Sequence, residues 1–206
     1  MTITYPNGAQ TGTGFMVGPS TVATAGHLVY NAGFGGYATS VVATPTYNAG
    51  AAPYGSARAV TLVTNEGWTV ENDYGYDWAV ITLNSNIGDS TGWLSVRYQT
   101  STYNGTTGVD VLGYPGVDEN GNIIQPASQR LYRSTGSITT TKTRQLVSNN
   151  TNTSDGMSGG PVQKYYTSTG YTAIALVSGS AAAGNVFTRI TEEVYDFFVS
   201  YNNTRV

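Results

Sequence analysis

Cysteine is absent from this sequence of 206 residues, and histidine occurs only once. Without cysteine the chain can form neither disulfides nor thiolate metal ligands, and a cysteine nucleophile is excluded. Zinc sites take most of their ligands from cysteine and histidine, so no metal site is predicted. A chain of this length does not need disulfides to fold, and their absence does not fix the compartment.

Charge is also scarce, and no long hydrophobic run is present. Nine Lys and Arg stand against 12 Asp and Glu, which gives a net charge of −3 and argues against a nucleic-acid partner. The longest apolar runs, such as Ala173 to Val177, are far too short to cross a bilayer. The N-terminus lacks the basic and apolar regions of a signal peptide. Neither a membrane span nor a leader within this chain is predicted.

The sequence does contain many Ser, Thr and Asn residues, with 26 Gly and 16 Tyr, a turn-rich composition that favours β-structure. Short apolar or alternating runs separated by turn residues predict strands of an antiparallel sandwich or barrel. The predicted strands are Gly14 to Val17, Thr21 to Thr24, Ser40 to Ala43, Ala59 to Val63, Trp78 to Leu83, Val109 to Leu112, Gln145 to Val147, Pro161 to Tyr165 and Tyr171 to Val177. Predicted turns between them, where Asn-Gly tolerates a positive φ, are Tyr5-Pro6-Asn7-Gly8, Tyr103-Asn104-Gly105 and Glu119-Asn120-Gly121.

One helix is predicted, at the C-terminal end from about residue 191. Thr191 can cap it, and two acidic residues follow in the first turn, where the helix dipole favours negative charge. One face of this helix is apolar and carries Val194, Phe197, Phe198 and Tyr201. The predicted fold class is therefore all-β with a C-terminal helix. No repeat or linker separates independent domains, so we expect two packed halves that divide between Ser95 and Tyr103.

Ser158 carries the strongest chemical signal, because it is embedded in Gly156-Met157-Ser158-Gly159-Gly160 just before an apolar strand. Glycines permit a tight turn that exposes the hydroxyl and points successive backbone N–H groups at one spot. An acyl-transfer nucleophile requires this geometry. A glycine-rich hairpin has the same composition, however, so the prediction depends on finding partner residues.

His27 is the candidate base. A serine hydroxyl becomes a good nucleophile when a neighbouring group removes its proton, and histidine suits this role because its pKa lies near neutral pH. His27 follows a short apolar strand and a small-residue turn, Thr21 to Gly26. A hydrogen-bonded structural role is the alternative for a lone histidine.

Asp77 is the candidate acid that would orient the base. The base needs an acceptor on its second ring nitrogen to fix the tautomer and stabilise the imidazolium. Asp77 directly precedes the apolar residues Trp78 to Ile81, where an unpaired carboxylate would be costly. Asp73 competes for the role but lies in a polar stretch typical of a solvated loop.

These three motifs, in the order His, Asp, Ser, resemble trypsin-like serine proteases over essentially the whole chain. The absence of cysteine and the segment Gly12 to Val17 resemble the bacterial glutamyl endopeptidase (V8-like) branch. The resemblance implies two packed six-stranded antiparallel β-barrels, residues 1–98 and 99–206, with a catalytic triad of His27, Asp77 and Ser158 between them. It implies a secreted endopeptidase that acts on polypeptides through an acyl-enzyme and needs no cofactor. We predict a monomer.

The resemblance also assigns roles around the triad. The backbone N–H groups of Gly156 and Ser158 would form the oxyanion hole. Ser178 matches the strand that lines the substrate cleft, where it either holds the catalytic acid or is a structural serine. Thr153 matches a pocket residue of glutamyl endopeptidases and favours cleavage after Glu. Those enzymes, however, have a histidine where this chain has Ser178, so a small or apolar residue before the cleaved bond (P1) is the alternative.

Two departures from other trypsin-like enzymes carry predictions. Met157 stands where animal enzymes have the Asp that pairs with a new N-terminus, so activation by that ion pair is not expected. Asn152 stands where Lys- or Arg-selective enzymes place an acid, so cleavage after basic residues is not expected. The rival class is a non-catalytic binding protein, either an inactive homologue or a carbohydrate-binding module. Asp118 to Asn122 lacks the ligand spacing of a calcium loop, and a hairpin tip is predicted there.

Overall fold

The structure is a computed structural model that describes residues 1–118 and 120–206. Its strands are β1 (Thr2–Tyr5), β2 (Gly8–Thr11), β3 (Phe15–Met16), β4 (Thr21–Thr24), β5 (Tyr30–Asn31), β6 (Gly36–Tyr37), β7 (Ser40–Ala43), β8 (Ala57–Thr64), β9 (Ala79–Leu83), β10 (Ser95–Val96), β11 (Asn104–Gly113), β12 (Tyr132–Lys142), β13 (Gln145–Ser148), β14 (Pro161–Tyr166), β15 (Gly170–Ala181) and β16 (Gly184–Arg189). Its α-helices are α1 (Glu66–Thr69), α2 (Gly88–Thr91) and α3 (Glu192–Tyr201). No helix in this part of the chain is long and apolar enough to cross a membrane.

Two large sheets organise these strands. The first has the order β2-β1-β7-β8-β9-β4-β3, and the second has the order β10-β15-β14-β11-β12-β13-β16. In the second sheet β15 also pairs with β16, which closes six antiparallel strands into a barrel, while β10 joins β15 as a short parallel strand. The predicted all-β fold of two barrels with a C-terminal helix is thus confirmed, with the first barrel left open between β2 and β3.

Three apolar clusters fill the molecule. One lies within the first sheet and a second within the closed barrel. The third joins the two, because Phe15 and Trp78 from the first sheet meet Leu176 of β15 and Val194 and Phe198 of α3. The two barrels therefore share a core.

The predicted helix is confirmed as α3. The Thr191 hydroxyl accepts a hydrogen bond from the Val194 N–H at 3.5 Å, and Val194 and Phe198 are fully buried. Helix position and apolar face both follow from the sequence pattern.

The predicted turns have different outcomes. The turn at Tyr5 to Gly8 is confirmed, since those two residues pair across the β1–β2 hairpin. The turn at Tyr103 to Gly105 is wrong, because β11 already begins at Asn104. An irregular register there gives Gly105 a φ of 87°. In the third predicted turn Glu119 lies outside the described residues, and Gly121 donates its N–H to the Asp118 carbonyl at 3.0 Å.

Candidate active site

His27 and Asp77 meet at one end of the first sheet. Strands β4 and β9 are antiparallel, with Thr24 opposite Ala79. His27 lies just past the end of β4, in a 3₁₀ turn, and Asp77 lies just before the start of β9. Because neighbouring antiparallel strands end and begin at the same edge, the pairing brings these two side chains together.

The contact between them is close and bidentate. His27 Nδ1 lies 2.9 Å from Asp77 Oδ2 and 3.1 Å from Oδ1, and the His27 backbone N–H donates to Oδ1 at 2.8 Å. Asp77 is completely buried, whereas the histidine side chain is 20% exposed. The Trp68 ring shields one side of the imidazole, with its centroid 6.1 Å away. With Nδ1 occupied by the carboxylate, Nε2 is the nitrogen left for chemistry.

Ser178 completes the surroundings of the acid. Its buried hydroxyl donates to Asp77 Oδ2 at 2.5 Å, across 101 residues of sequence and from β15 of the second barrel. A buried carboxylate must replace its lost hydration by hydrogen bonds, and these donors supply them. The Ser178 hydroxyl is therefore engaged with Asp77.

Asp77 also sets the charge behaviour of the histidine. Burial lowers the pKa of His27, but attraction to the Asp77 carboxylate and their hydrogen bond raise it, and the resulting pKa lies above the ordinary value. The pair thus favours an imidazolium, the form that a histidine takes after it has accepted a proton.

Ser158 lies in a glycine loop that is docked on the first barrel. The Ser158 carbonyl accepts the Thr13 N–H at 2.9 Å, and Gly159 donates to the Val177 carbonyl at 2.7 Å. A Cβ on Gly159 would lie 2.2 Å from Thr24 Oγ1 and 2.8 Å from the Ala25 nitrogen, so the loop packs directly on the chain that leads to His27. Only glycine fits here, because φ is also 78°.

The structure brings Ser158 to this region through its backbone. Among residues 1–118 and 120–206, no hydrogen bond joins the Ser158 hydroxyl to the His27 ring. Catalytic hydrogen bonds are often long without substrate and tighten in its complex. Ser158 is partly exposed.

The backbone N–H groups around Ser158 differ in whether they donate a hydrogen bond within the protein. Met157 donates to the Ser154 carbonyl at 3.0 Å and Gly160 donates to Met157 at 2.9 Å. Within the described residues, the amides of Gly156 and Ser158 donate to no protein acceptor. Because a folded chain pairs most of its amides, two unpaired donors beside the serine hydroxyl can bind an anionic oxygen.

The predicted pocket residues take separate positions. Thr153 donates its hydroxyl to Asn185 Oδ1 at 2.7 Å, and Asn185 Nδ2 in turn donates to the Thr151 carbonyl at 2.8 Å. Asn152 is exposed and lies next to Thr153 on a cavity of about 330 Å³. All these groups are neutral. Met157 is almost fully buried in the closed barrel's apolar cluster.

No local motif in the sequence marks Thr13 or Asn185 as part of the site. Asn185 lies on β16 with no motif around it, and its partners are more than 30 residues away. Thr13 belongs to the Gly12 to Val17 segment, but its hydroxyl bonds Gly156 across 143 residues. Contacts of this range leave no local signal.

Comparisons with known proteins agree with this geometry. The sequence profile of one family, Trypsin, matches residues 1–197. An extracellular metalloprotease of Bacillus subtilis is 33% identical over 198 residues, which are 95% of this chain and 60% of that protein. A glutamyl endopeptidase of Bacillus licheniformis is 33% identical over 199 residues, which are 93% of this chain and 60% of that protein. The chain thus spans about 60% of the length of these curated relatives.

A solved structure of a Glu endopeptidase in complex with MPD is similar throughout. Its TM-score is 0.80 at 25% identity, over 97% of this chain and 87% of that chain. The B. subtilis relative is named for a metal, but the described residues of this chain contain no group of three or more His, Asp or Glu side chains that could hold one. Asp118 instead accepts the N–H groups of Asn120 and Asn122.

Proposed function

This chain belongs to the trypsin family, and from that premise we propose that it is a serine endopeptidase with Ser158 as nucleophile, His27 as base and Asp77 as orienting acid. The observation that carries the proposal is the fully buried Asp77, which accepts both the ring and the backbone N–H of His27. A buried carboxylate is costly unless it is paired, and a catalytic triad requires this pair.

The geometry supports acyl transfer as follows. Ser158 Oγ attacks the carbonyl carbon of the substrate while its proton passes to His27 Nε2, and Asp77 stabilises the imidazolium through Nδ1–H. The unpaired N–H groups of Gly156 and Ser158 bind the oxyanion of the tetrahedral intermediate. His27 then protonates the leaving amine. In the second half of the reaction His27 takes a proton from water as the water attacks the acyl carbon, and returns that proton to Ser158 Oγ as the carboxylic acid product leaves. This chemistry needs no cofactor.

A substitution at the nucleophile tests the proposal. Ser158→Ala should lower kcat by about 10⁴ to 10⁶ and abolish labelling by a serine-directed phosphonate, with an unchanged circular dichroism spectrum. Ser154→Ala is the matched control, because it removes another serine hydroxyl from the same loop. Phosphonate attached to Ser154, or a Ser158→Ala variant that turns over normally, would defeat the assignment. A wild-type protein that binds peptides without cleaving them would favour the non-catalytic alternative.

For the P1 residue, glutamate is the proposed preference. Thr153 and the 33% identity to a protein named glutamyl endopeptidase support it. A small or uncharged residue is the second candidate, because Thr153 and Asn185 form a neutral pair and Ser178 is engaged with Asp77. A carboxylate there would lose hydration without gaining a cation. Sequencing the products of a peptide library decides between them, and a profile dominated by Lys or Arg would contradict both.

Secretion is also proposed. A relative of this chain is named as extracellular, and the low charge and high Ser, Thr and Asn content are common in extracellular bacterial proteins. Immunoblots of culture medium and cell lysate from the source organism should place the protein in the medium. Retention in the lysate would contradict the proposal.

A further inference from the structure

Thr13, which precedes β3 in the first barrel, is buried, and its hydroxyl, N–H and carbonyl all form hydrogen bonds. Its hydroxyl donates to the Gly156 carbonyl at 2.8 Å and accepts the Tyr114 N–H at 2.9 Å. Its N–H donates to the Ser158 carbonyl at 2.9 Å, and its own carbonyl accepts the Thr24 hydroxyl at 2.7 Å. One residue of the first barrel thus contacts the loop that carries Ser158 at two points, once through its hydroxyl and once through its backbone N–H.

These two points enclose the residues that carry the reaction. The Gly156 and Ser158 carbonyls lie on either side of Met157, so Thr13 holds both ends of the Met157-Ser158 dipeptide. The Gly156 carbonyl belongs to the peptide unit that lies between the units carrying the Gly156 and Ser158 N–H groups, so holding this planar unit restricts the rotation of both neighbouring units. The contact to Thr24 then links this loop to the strand that leads to His27.

Gly156 is the residue of the loop that most needs such support. Its φ is 90°, a conformation available because it has no side chain, and a Cβ would lie 2.6 Å from the Tyr114 carbonyl. Glycine has more accessible backbone conformations than any other residue. On one side of Gly156, the Asp155 carbonyl accepts the Gly116 N–H at 2.6 Å. On the other side, the Gly156 carbonyl accepts the Thr13 hydroxyl.

We propose that Thr13 is a positioning residue, whose hydroxyl holds the Gly156 carbonyl and thereby keeps the Gly156 and Ser158 N–H groups aimed at the oxyanion. This role rests on the proposed function, because it requires that these amides bind the transition state. Without the hydroxyl, Gly156 can rotate, and binding of the oxyanion must then reorder the loop. The loss falls on the transition state rather than on substrate binding.

Thr13→Val and Thr13→Ser test the proposal with the full chain. Valine keeps the shape and removes the hydroxyl, whereas serine keeps the hydroxyl. Thr13→Val should lower kcat by about 10- to 100-fold with KM changed less than about twofold. The affinity for a peptide trifluoromethyl ketone, which forms an oxyanion in the site, should fall by the same factor as kcat. Thr13→Ser should restore kcat to within about threefold of the wild type.

Thr21→Val is the matched control. Thr21 is equally buried, and its hydroxyl donates to the Tyr201 carbonyl at 2.7 Å, away from the loop. We expect a similar loss of stability with kcat unchanged. If Thr13→Val is unfolded at the assay temperature, kcat of Thr13→Ala is compared with that of Thr13→Ser at a lower temperature instead.

Three results would overturn the positioning role: wild-type kcat in the variant without the hydroxyl, no recovery in Thr13→Ser, or an equal loss of kcat in Thr21→Val. Failure of the proposed function looks different, because the wild-type protein itself would then fail to label at Ser158.

Discussion

At the scale of single residues, the pairing of His27 with Asp77 has a consequence for pH dependence. The pKa of His27 is the balance of burial, which lowers it, and the Asp77 carboxylate, which raises it through charge and a hydrogen bond. Because the second influence is larger, the imidazole binds its proton at a higher pH than a free histidine does. The neutral base is therefore lost earlier as the pH falls.

We expect kcat/KM to fall towards acid pH with a midpoint above the ordinary histidine value of about 6.5. Asp77→Asn removes the charge and leaves burial in place, so the midpoint should move to lower pH while kcat falls by about 10⁴. Asp73→Asn is the control, since the Asp73 carboxylate accepts the Gly75 N–H at 2.7 Å and does not contact His27. Measured pH profiles with the same midpoint in both variants would show that Asp77 does not set the pKa of the base.

At the scale of elements, the loop that carries Ser158 depends on Gly159 for its fit against the first barrel. Gly159→Ala should destabilise the protein by about 2 kcal/mol or more beyond the cost of a positive φ, because the new methyl group meets the Thr13 carbonyl at 2.4 Å. Gly170→Ala is a matched control: its φ of 70° is similar, and nothing lies within 4 Å of the added carbon. We expect about 1 kcal/mol there. Urea unfolding measures both, and equal losses would contradict the docking contact.

Strands and helices with apolar runs or an apolar face could be predicted from the sequence, whereas strands of mainly polar residues could not. Strands β4, β9, β14 and β15 follow from their apolar runs, and α3 follows from its cap and apolar face. β12 (Tyr132–Lys142) was not predicted, because it consists mainly of Ser and Thr with Ile138 as its fully buried apolar residue. Its conformation comes from pairing with β11 and β13, which no local pattern reveals.

The site shows the same division. His27, Asp77 and Ser158 stand in local motifs, so the sequence alone could nominate them. The residues that hold them in place stand in no local motif, because their contacts are distant in sequence. Ser178 contacts Asp77 and Thr13 contacts Gly156 across more than 100 residues. Family resemblance suggested the contact of Ser178, but nothing in the sequence suggested that of Thr13.

At the scale of the whole molecule, the shared apolar cluster joins the barrels, and a buried cation holds the chain where it enters the closed barrel. Arg189, at the end of β16, is 6% exposed and stacks 5.4 Å from the Tyr103 ring centre. Its Nη2 donates to the Gln99 carbonyl at 2.5 Å and the Ser101 carbonyl at 2.8 Å. These carbonyls lie between β10, which extends the second sheet, and β11, the first strand of the closed barrel. Arg189 thus fixes this segment to the closed barrel. Because the two barrels share an apolar cluster, we expect the chain to unfold as one unit.

Arg189→Lys should lower the free energy of unfolding by about 1.5 to 3 kcal/mol, because the shorter lysine side chain ends before the position of Nη2, which binds both carbonyls, and its ammonium group does not stack on the Tyr103 ring as the planar guanidinium does. Arg205→Lys is the control, since Arg205 pairs with Asp89 at the surface, with 59% of its side chain exposed, and should change stability by less than about 1 kcal/mol. Denaturation followed by tryptophan fluorescence and by far-UV circular dichroism should shift together in Arg189→Lys. Two separated transitions in the wild type would mean that the barrels unfold independently. A variant as stable as the wild type would mean that the bonds of Arg189 to this segment do not stabilise the fold.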